Sequence, residues 1–302
     1  MTQFLQALVD GSSLAAVYSL IALGFVIIYK STQVLNFAQP ALMLLGAYWV
    51  VYFATVVGWP FWMAVIMAAG LAAFTGVLVE RLALRPMVGK PVFAVAIMTI
   101  GLNTVITVIA LDLLGIDARS VGGPWGFKFV ALDVFGDSLI VGHRQIAALV
   151  TTVVLVGALL AFFKYSRFGL AMRAAAFDQE VALTQGVSVT AVFAASWAIA
   201  SVLAMVGGVF VGATPPGIDR SASIIALKAL PVVVVGGLDS ISGALLGAFI
   251  VGIAEALTFT YQPQYASFLG QNFSQVVPYV VMFLVLLVRP YGLLGTKEVE
   301  RV

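Results

Sequence analysis

The sequence predicts an all-α polytopic integral membrane protein with about eight or nine membrane segments. Of its 302 residues, 62% are hydrophobic and only 9% are charged. The tracts 31–79, 181–218 and 256–288 contain no Asp, Glu, Lys or Arg. Because a spanning helix needs about 20 apolar residues, these tracts hold several spans. A membrane β-barrel would instead show short alternating segments.

Apolar runs divide the chain into nine candidate segments within a single transmembrane domain, residues 1–302. The seventh is short, contains Pro231 and ends at Gly236-Gly237. Irregular backbone survives at membrane depth only where protein or a cavity covers it, so this segment is predicted to be broken or re-entrant. The nine segments are 12–29, 36–57, 61–79, 92–114, 146–163, 188–212, 222–236, 243–261 and 273–288.

Composition excludes several kinds of chemistry. The chain has no Cys and a single His, His143. A disulfide, a thiolate nucleophile and a Cys-based metal site are therefore excluded, and so is histidine-rich metal or proton-relay chemistry. We expect no metal ligands, no catalytic residues and no nucleic-acid partner. The N-terminus MTQFLQALVDGSS lacks the basic region of a cleaved signal peptide, so the first span is expected to remain.

The distribution of Lys and Arg orients the connections, because these residues favour cytoplasmic loops. The loop 80–90 has three basic residues and one acid, whereas 115–144 has three of each. We therefore predict that 115–144 is an external loop and that 80–90, 164–187 and the tail 289–302 are cytoplasmic. The N-terminus is outside if all nine segments cross and inside if one is re-entrant. Within the external loop, FKFVALDVF alternates weakly and predicts a short strand.

The stretch KYSRFGLAMRAAAFDQEVALTQG, residues 164–186, is unusually polar for this chain, with five charges in 23 residues. Asp178 suits a helix N-cap, because its carboxylate accepts from free backbone N–H groups. Glu180 follows in the first turn, where the helix dipole favours an acid, and Gly186 suits the C′ position. These signals predict a short helix of about two turns, whose small alanines would admit another protein closely. A connector lying on the bilayer is the alternative.

Several motifs keep the order found in one known family. The polar stretch carries Tyr165-Ser166-Arg167, Gly169, Arg173-Ala174, Asp178, Ala182 and Gly186. The other motifs are LNFAQPALMLLGAY (35–48), ERLALRP (80–86), IMTIGLN (97–103), ALKALPVVVVGGLDSISGALLGAFIVGIAEAL (226–257) and LLVRPYGLLG (286–295). Together they resemble the permeases of branched-chain amino acid type (LivH-like) ABC importers over nearly the whole chain.

The resemblance implies that residues 164–186 form a coupling helix docked in a groove of a cytoplasmic ATPase. The implied coupling residues are Arg167, Gly169, Arg173, Ala174, Asp178, Ala182 and Gly186. The implied assembly contains a homologous second permease, two ATPase subunits and a periplasmic or extracellular substrate-binding protein, surrounded by the lipid of a bacterial inner membrane. The external loop would help to seat the binding protein through Asp117, Arg119, Asp133 and Asp137.

No cofactor is expected on this chain, because ATP and Mg would be bound by the ATPase subunits. The sequence has no phosphate-binding loop: its only Gly-Lys pair, Gly89-Lys90, is followed by Pro91. The resemblance implies import of branched-chain or other hydrophobic amino acids by alternating access. Urea, short amides and aromatic acids are alternative substrates in the same family.

A polar group within an apolar span needs a partner, a cavity or a function. Glu255 lies in the otherwise uncharged span 243–261 and is interpreted as a structural glutamate, paired or protonated, in the wall of a translocation path. For the amides Asn36 and Asn103, interhelical hydrogen bonding is as good an explanation as ligand contact. The candidate path residues are Asn36, Phe37, Gln39, Asn103, Pro231, Gly236, Gly237 and Glu255.

One position departs from the family pattern. Relatives often have His-Gly after Asn-Phe-Ala, where this chain has Gln39-Pro40. Pro40 is interpreted as a first-turn proline of the second span, and the role of Gln39 is left open.

Two other classes of protein were weighed. A secondary transporter or channel is disfavoured because few buried charges and no repeat of broken helices are visible. A membrane-embedded enzyme is disfavoured because one histidine, no cysteine and no clustered carboxylates leave few catalytic groups.

Overall fold

The computed structural model describes residues 2–115, 118–126, 128–134, 137–215, 217–219, 221–270 and 272–296. It is predominantly helical, as predicted. The helices are α1 Thr2–Thr32, α2 Gln39–Val51, α3 Phe61–Val79, α4 Val92–Leu114, α5 His143–Tyr165, α6 Arg167–Phe177, α7 Gln179–Thr184, α8 Val189–Gly212, α9 Ala222–Leu227, α10 Ala229–Gly236, α11 Ile241–Tyr265 and α12 Val277–Val288.

Short irregular helices extend several of these elements. A π-helical turn, Tyr52–Val56, continues α2, and another, Glu80–Leu84, continues α3 into the 3-10 turn Arg85–Met87. The 3-10 turns Ser267–Leu269 and Phe273–Val276 connect α11 to α12. Pro40 lies in the first turn of α2, which confirms the prediction for that residue.

Nine apolar segments are present in the part of the chain that the structure describes. Seven helices are long and apolar enough to cross a membrane, and two shorter segments, Ala222–Gly236 and Phe273–Val288, are apolar as well. The segment 222–236 is broken, as predicted, but the break lies at Lys228, between α9 and α10. The reason given for the break was wrong, because Pro231 lies in the first turn of α10, where a missing N–H costs little.

Contacts between the segment ends show which of them share a side. Near the N-terminus, the Gln6 side chain donates to the carbonyl of Ile140 in the external loop at 3.0 Å. At the other end of α1, Gln179 Nε2 donates to Ser31 O at 3.1 Å, which brings α7 to that end. The N-terminus therefore lies at the same end of the molecule as loop 115–144, and the end of α1 lies with α7 at the other end. This is the arrangement that the sequence analysis expects if all nine segments cross.

The loop 115–144, which the sequence analysis predicts to be external, contains a β-hairpin. Strands β1 Phe129–Val134 and β2 Asp137–Gly142 pair antiparallel, from Phe129 opposite Gly142 to Val134 opposite Asp137. The strand predicted from FKFVALDVF is confirmed as β1. The second strand leads directly into α5, so the hairpin is joined to a long helix without a linker.

Helix α1 is the centre of the packing. It is buried along most of its length and packs closely on α8 and α11. Small residues allow this approach: a Cβ at Gly252 would lie 2.7 Å from Ala15 N, and one at Gly207 would lie 2.8 Å from Ile21 Cγ1. Helices α3, α4 and α5 instead present large exposed apolar side chains, which suits the periphery of a membrane protein.

Candidate functional site

The polar stretch 164–186, called the coupling segment below, forms two helices and not one. α6 begins after Ser166, whose Oγ accepts from Gly169 N at 2.8 Å. α7 begins after Asp178, whose Oδ1 accepts from Val181 N at 3.0 Å. The predicted cap at Asp178 is confirmed. α6 was not predicted, because Arg167 and Gly169 were interpreted only as the exit from the membrane.

The end of α7 has the predicted glycine geometry. Gly186 has φ +80°, a conformation that side chains with a Cβ rarely adopt. Gly186 N donates to Leu183 O, and Val187 N donates to Ala182 O, each at 3.0 Å. This pair of bonds is a Schellman motif, which satisfies the last carbonyls of the helix. Helix α7 is therefore capped at both ends.

Part of the coupling segment is buried against the rest of the chain. Gly169 is buried where α6 folds back on α5, and a Cβ there would lie 2.4 Å from Phe162 O. Ala182 is only 3% exposed, and it packs in the core. The expectation that Ala182 would face a partner is therefore corrected: its small side chain seats α7 on its own chain.

Other residues of the coupling segment are exposed. Five of these exposed residues, which we call the docking face, are Arg173, Ala174, Phe177, Asp178 and Val181. Phe177, between α6 and α7, is 96% exposed, although it is a large apolar side chain. Sequence reasoning missed Phe177. The available signal was an aromatic residue between an alanine run and a helix cap.

Glu255 has the buried partner that the sequence left unnamed. Its Oε1 lies 2.5 Å from Lys228 Nζ, and its Oε2 accepts from the Tyr18 hydroxyl at 2.7 Å. All three side chains are buried. The interpretation of Glu255 as a paired residue that holds helices together is supported by this geometry. Lys228 was missed, although a lysine inside the segment 222–236 is as conspicuous as a glutamate inside 243–261.

Asn36 and Gln39 also have partners within the chain. Asn36 Oδ1 accepts from Ala38 N at 3.0 Å, and Asn36 Nδ2 donates to Gln39 Oε1 at 3.2 Å. Gln39 Nε2 donates to Ala200 O at 3.2 Å, midway along α8. Both amides therefore stabilise the irregular chain between α1 and α2, and they are fully buried. Phe37 lies in the same irregular stretch, and its backbone N–H donates to Thr99 Oγ1 in α4 at 3.1 Å.

Asn103 differs from the other two amides. Its Oδ1 is buried without a hydrogen-bond partner in the described part of the chain, and the same holds for Thr107 Oγ1, one turn further along α4. The two oxygens lie on one side of α4. A role for Asn103 in translocation stays a prediction.

Gly236 and Gly237 lie at the end of the molecule that holds the coupling segment, not at the external end. Leu294 N donates to Gly236 O at 2.9 Å, so the tail is bonded to the end of α10. Gly237 has φ +113°, and a Cβ there would lie 2.4 Å from Gly295 N. Both glycines, with Pro231 buried in the same short helix, serve close packing. Their assignment to the translocation path stays a prediction.

A cavity of about 520 Å³ opens between α1, α5, α8, α9 and α11. Glu255 lines it at the level of Tyr18 in α1, whereas Asp10 and Arg144 line it nearer the hairpin. Of the predicted path residues, Glu255 alone is among the residues that line this cavity. Asp10 and Arg144 were missed, because each is a single charge at the end of a span, where charges are ordinary.

The residues proposed to seat a binding protein are only partly described. Asp133 is exposed on β1, opposite Ser138. Arg119 pairs through its backbone with Ile218, so it joins the loop to the chain after α8. Asp117 lies outside the described residues, and Asp137 begins β2 with a side chain that is not described.

Comparisons with known proteins agree with this architecture. In structure, the chain is similar to PsaBC from Streptococcus pneumoniae in complex with Fab, with a TM-score of 0.51 and 13% identity over 95% of this chain and 92% of that one. At this identity the likeness concerns the fold.

In sequence, three relatives cover almost the whole chain. The high-affinity branched-chain amino acid transport system permease protein LivH of Escherichia coli K12 is 32% identical over 99% of this chain and 98% of the relative. The corresponding BraD protein of Pseudomonas aeruginosa is 31% identical with the same coverage. A probable LivH protein of Methanocaldococcus jannaschii is 30% identical over 95% of this chain and 93% of its own length.

A family profile matches residues 7–286, which include every residue that lines the cavity and the whole coupling segment. Its description is branched-chain amino acid transport system, permease component. The chain therefore belongs to the family of permease components of branched-chain amino acid transport systems.

Proposed function

We propose that this chain is a transmembrane subunit of an ATP-driven importer, in which ATP hydrolysis by separate subunits drives alternating access. The observation that carries the proposal is the docking face. It combines a 96% exposed aromatic side chain with a capped helix, at the end of the molecule opposite the hairpin. An exposed anchor of this kind gains its stabilisation when a partner covers it.

The connections of the coupling segment suit the transmission of force. α6 follows α5 after a single residue, Ser166, so a displacement of α6 is passed directly to a membrane helix. Gln179 joins the start of α7 to the last turn of α1, the helix at the centre of the packing. A push on the docking face would therefore reach α5 and α1 together.

The proposed substrates are branched-chain or other hydrophobic amino acids. The names of the relatives and the largely apolar wall of the cavity support this class. Urea, short amides and aromatic acids remain alternative substrates. A secondary transporter or channel is less well supported, because an exposed aromatic side chain beside a capped helix at this end has no evident use in either.

The proposed assembly contains a homologous second permease, two cytoplasmic ATPase subunits that hold ATP and Mg, and a soluble substrate-binding protein at the hairpin end. It would lie in a bacterial inner membrane. Neither an ATP site nor any other cofactor site is proposed for this chain.

Cysteine crosslinking tests the proposal directly, because the chain has no native cysteine. Single cysteines at Ala174, Phe177 and Val181 should crosslink to a cysteine series in the cognate ATPase. A cysteine at the buried Ala182 is the matched control and should not crosslink. Failure at all three exposed positions, in an assembly that hydrolyses ATP, would refute the docking face.

A further inference from the structure

The end of the cavity nearest the hairpin, called its mouth below, is lined by two opposite charges that do not form an ion pair with each other. Asp10 on α1 and Arg144 in the first turn of α5 both line the cavity of about 520 Å³. Among the described residues, the ion pair present is that of Lys228 with Glu255. Because Asp10 and Arg144 line the same cavity without forming an ion pair, a third charged group could contact both.

Each of the two charged groups is held by hydrogen bonds and has further atoms that can form hydrogen bonds. Asp10 Oδ1 accepts from Gln145 Nε2 at 2.6 Å and from Gln6 Nε2 at 3.2 Å. Arg144 Nη1 donates to Ala213 O at 3.2 Å. The second oxygen of Asp10 and the remaining N–H groups of Arg144 have no hydrogen-bond partner within the described ranges. Oriented charged groups of this kind form the stronger class of hydrogen bonds to a ligand.

The cavity below the mouth is largely apolar. Its wall includes Leu14, Val17, Phe210, Val211 and Ile225. At its floor the Glu255 carboxylate is already occupied by the hydroxyl of Tyr18 and the ammonium of Lys228. Tyr18 follows Asp10 by eight residues, which is about 12 Å of helix. The volume also lies within the usual range of small-ligand pockets, about 300–1,000 Å³.

The geometry points to a binding site for a zwitterionic amino acid with an apolar side chain. The α-ammonium would meet Asp10 and the α-carboxylate would meet Arg144, whose planar guanidinium suits bidentate contact with a carboxylate. The side chain would extend inward along Leu14 and Val17. This inference rests on the proposed function for the direction of transport, and it adds the residues and the ligand chemistry of one site.

The position of the site fits the first stage of import. Gln6 accepts from Ile140 N at 3.1 Å and also bonds Asp10, so the hairpin and the cavity mouth are joined by one side chain. An amino acid released near the hairpin would meet these charges first. A lipid acyl chain is the competing occupant, since it would fill the apolar wall without using either charge.

A single-cysteine protection assay in the assembled transporter tests the site. Ser13 lines the cavity near Asp10, and Ser13→Cys gives this chain a single thiol. L-Leucine should slow alkylation of this cysteine by a maleimide. Leucinamide, which lacks the carboxylate, and 4-methylpentanoate, which lacks the ammonium, should protect poorly at equal concentration. Val88→Cys, 56% exposed in the loop 80–90 at the opposite end, is the control and should react at the same rate with or without leucine.

Charge variants in the Ser13→Cys background provide the second arm. Arg144→Gln and Asp10→Asn should each raise the leucine concentration for half-protection by about tenfold or more, the loss expected when a charged hydrogen-bond partner is removed. Lys90→Gln, in an exposed loop at the opposite end, should leave it unchanged.

Leucine uptake measured in the same preparations separates the two proposals. Uptake without protection, in the Ser13→Cys protein, would overturn the site and leave the proposed function standing. Equal protection by 4-methylpentanoate, or protection by added phospholipid alone, would overturn the zwitterion site in favour of an apolar or lipid occupant. A protein that shows no leucine uptake and no protection would overturn both the site and the amino-acid substrate class.

Discussion

Lys228, at the junction between α9 and α10, forms a buried ion pair with Glu255 in α11, and the Nζ and Oε1 atoms are 2.5 Å apart. The Tyr18 hydroxyl of α1 donates to the second oxygen of the same carboxylate. Three segments of the chain therefore meet at one carboxylate beside the cavity. A charge buried in a membrane protein is costly unless it is paired, so this contact fixes where the broken segment can sit.

We predict that removal of one partner destabilises the assembly more than removal of both. Glu255→Leu leaves the Lys228 ammonium buried and unpaired, at a cost of about 3–5 kcal/mol. Lys228→Met combined with Glu255→Leu should recover part of the loss, because no charge is then stranded. Melting temperatures of the purified assembly would measure this. A double variant that is no more stable than Glu255→Leu would contradict the prediction.

Glu255→Gln should keep substantial transport, because the amide can still accept from Tyr18 or Lys228. Uptake and assembly should be measured together. Loss of uptake in a normally assembled Glu255→Gln protein would show that the charge acts directly in transport.

Phe177 should contribute to partner binding and hardly at all to the stability of this chain. Its side chain is 96% exposed, so Phe177→Ala removes little intramolecular packing. As an anchor covered by the partner, it should contribute about 2 kcal/mol or more to ATPase association. The measurement is ATPase copurification and leucine-stimulated hydrolysis. Phe268→Ala is the matched control, since Phe268 is 85% exposed near the end of α11 away from the coupling segment, and it should leave association unchanged.

Two substitutions at Asp178 distinguish its role as a helix cap from a role of its negative charge. Asp178→Ala should remove about 1 kcal/mol of helix stabilisation and reduce uptake, because α7 would lose its rigid start. Asp178→Asn keeps an accepting oxygen for Val181 N, and it should retain most of the uptake if capping is the main role.

Arg173→Ala, exposed nearby, should reduce coupling without loss of stability. Normal uptake in both alanine variants would refute the coupling assignment.

Gly237 should resist substitution more than a glycine in an open helix position. Gly237→Ala requires φ +113° and places Cβ 2.4 Å from the tail at Gly295 N, so it should destabilise by more than 1 kcal/mol. Gly70→Ala, with nothing within 4 Å in the interior of α3, should be neutral or stabilising by about 0.5–1 kcal/mol. Thermal unfolding of the two variants would test this difference, and equal effects would contradict it.

Asp133 should affect delivery of substrate and not the chemistry of the ATPases. Asp133→Lys reverses an exposed charge on β1, and rim charges mainly change association rates and their salt dependence. Uptake at limiting binding-protein concentration should fall and become less sensitive to salt, with basal hydrolysis unchanged. Lys90→Glu, at the opposite end, is the control. An Asp133→Lys protein with normal uptake under these conditions would argue for a merely solvated hairpin.

The sequence alone determined the membrane class, the nine apolar segments, the strand in the external loop and the cap at Asp178. These features depend on local composition and on residues a few positions apart, so they can be read along the chain. The sequence also indicated that Glu255 needs a partner, because the cost of a charge in an apolar span does not depend on the fold.

The tertiary structure decided which residues meet. The partnership of Lys228 with Glu255, the burial of Ala182 and the contact of Gly237 with the tail join positions that are far apart in the chain or depend on how a helix is rotated. The same holds for Asp10 and Arg144, which lie 134 residues apart and share a cavity mouth because α1 and α5 pack side by side. Helical periodicity fixes the faces of one helix, but the choice of neighbour follows from close packing of whole helices, which no local pattern encodes.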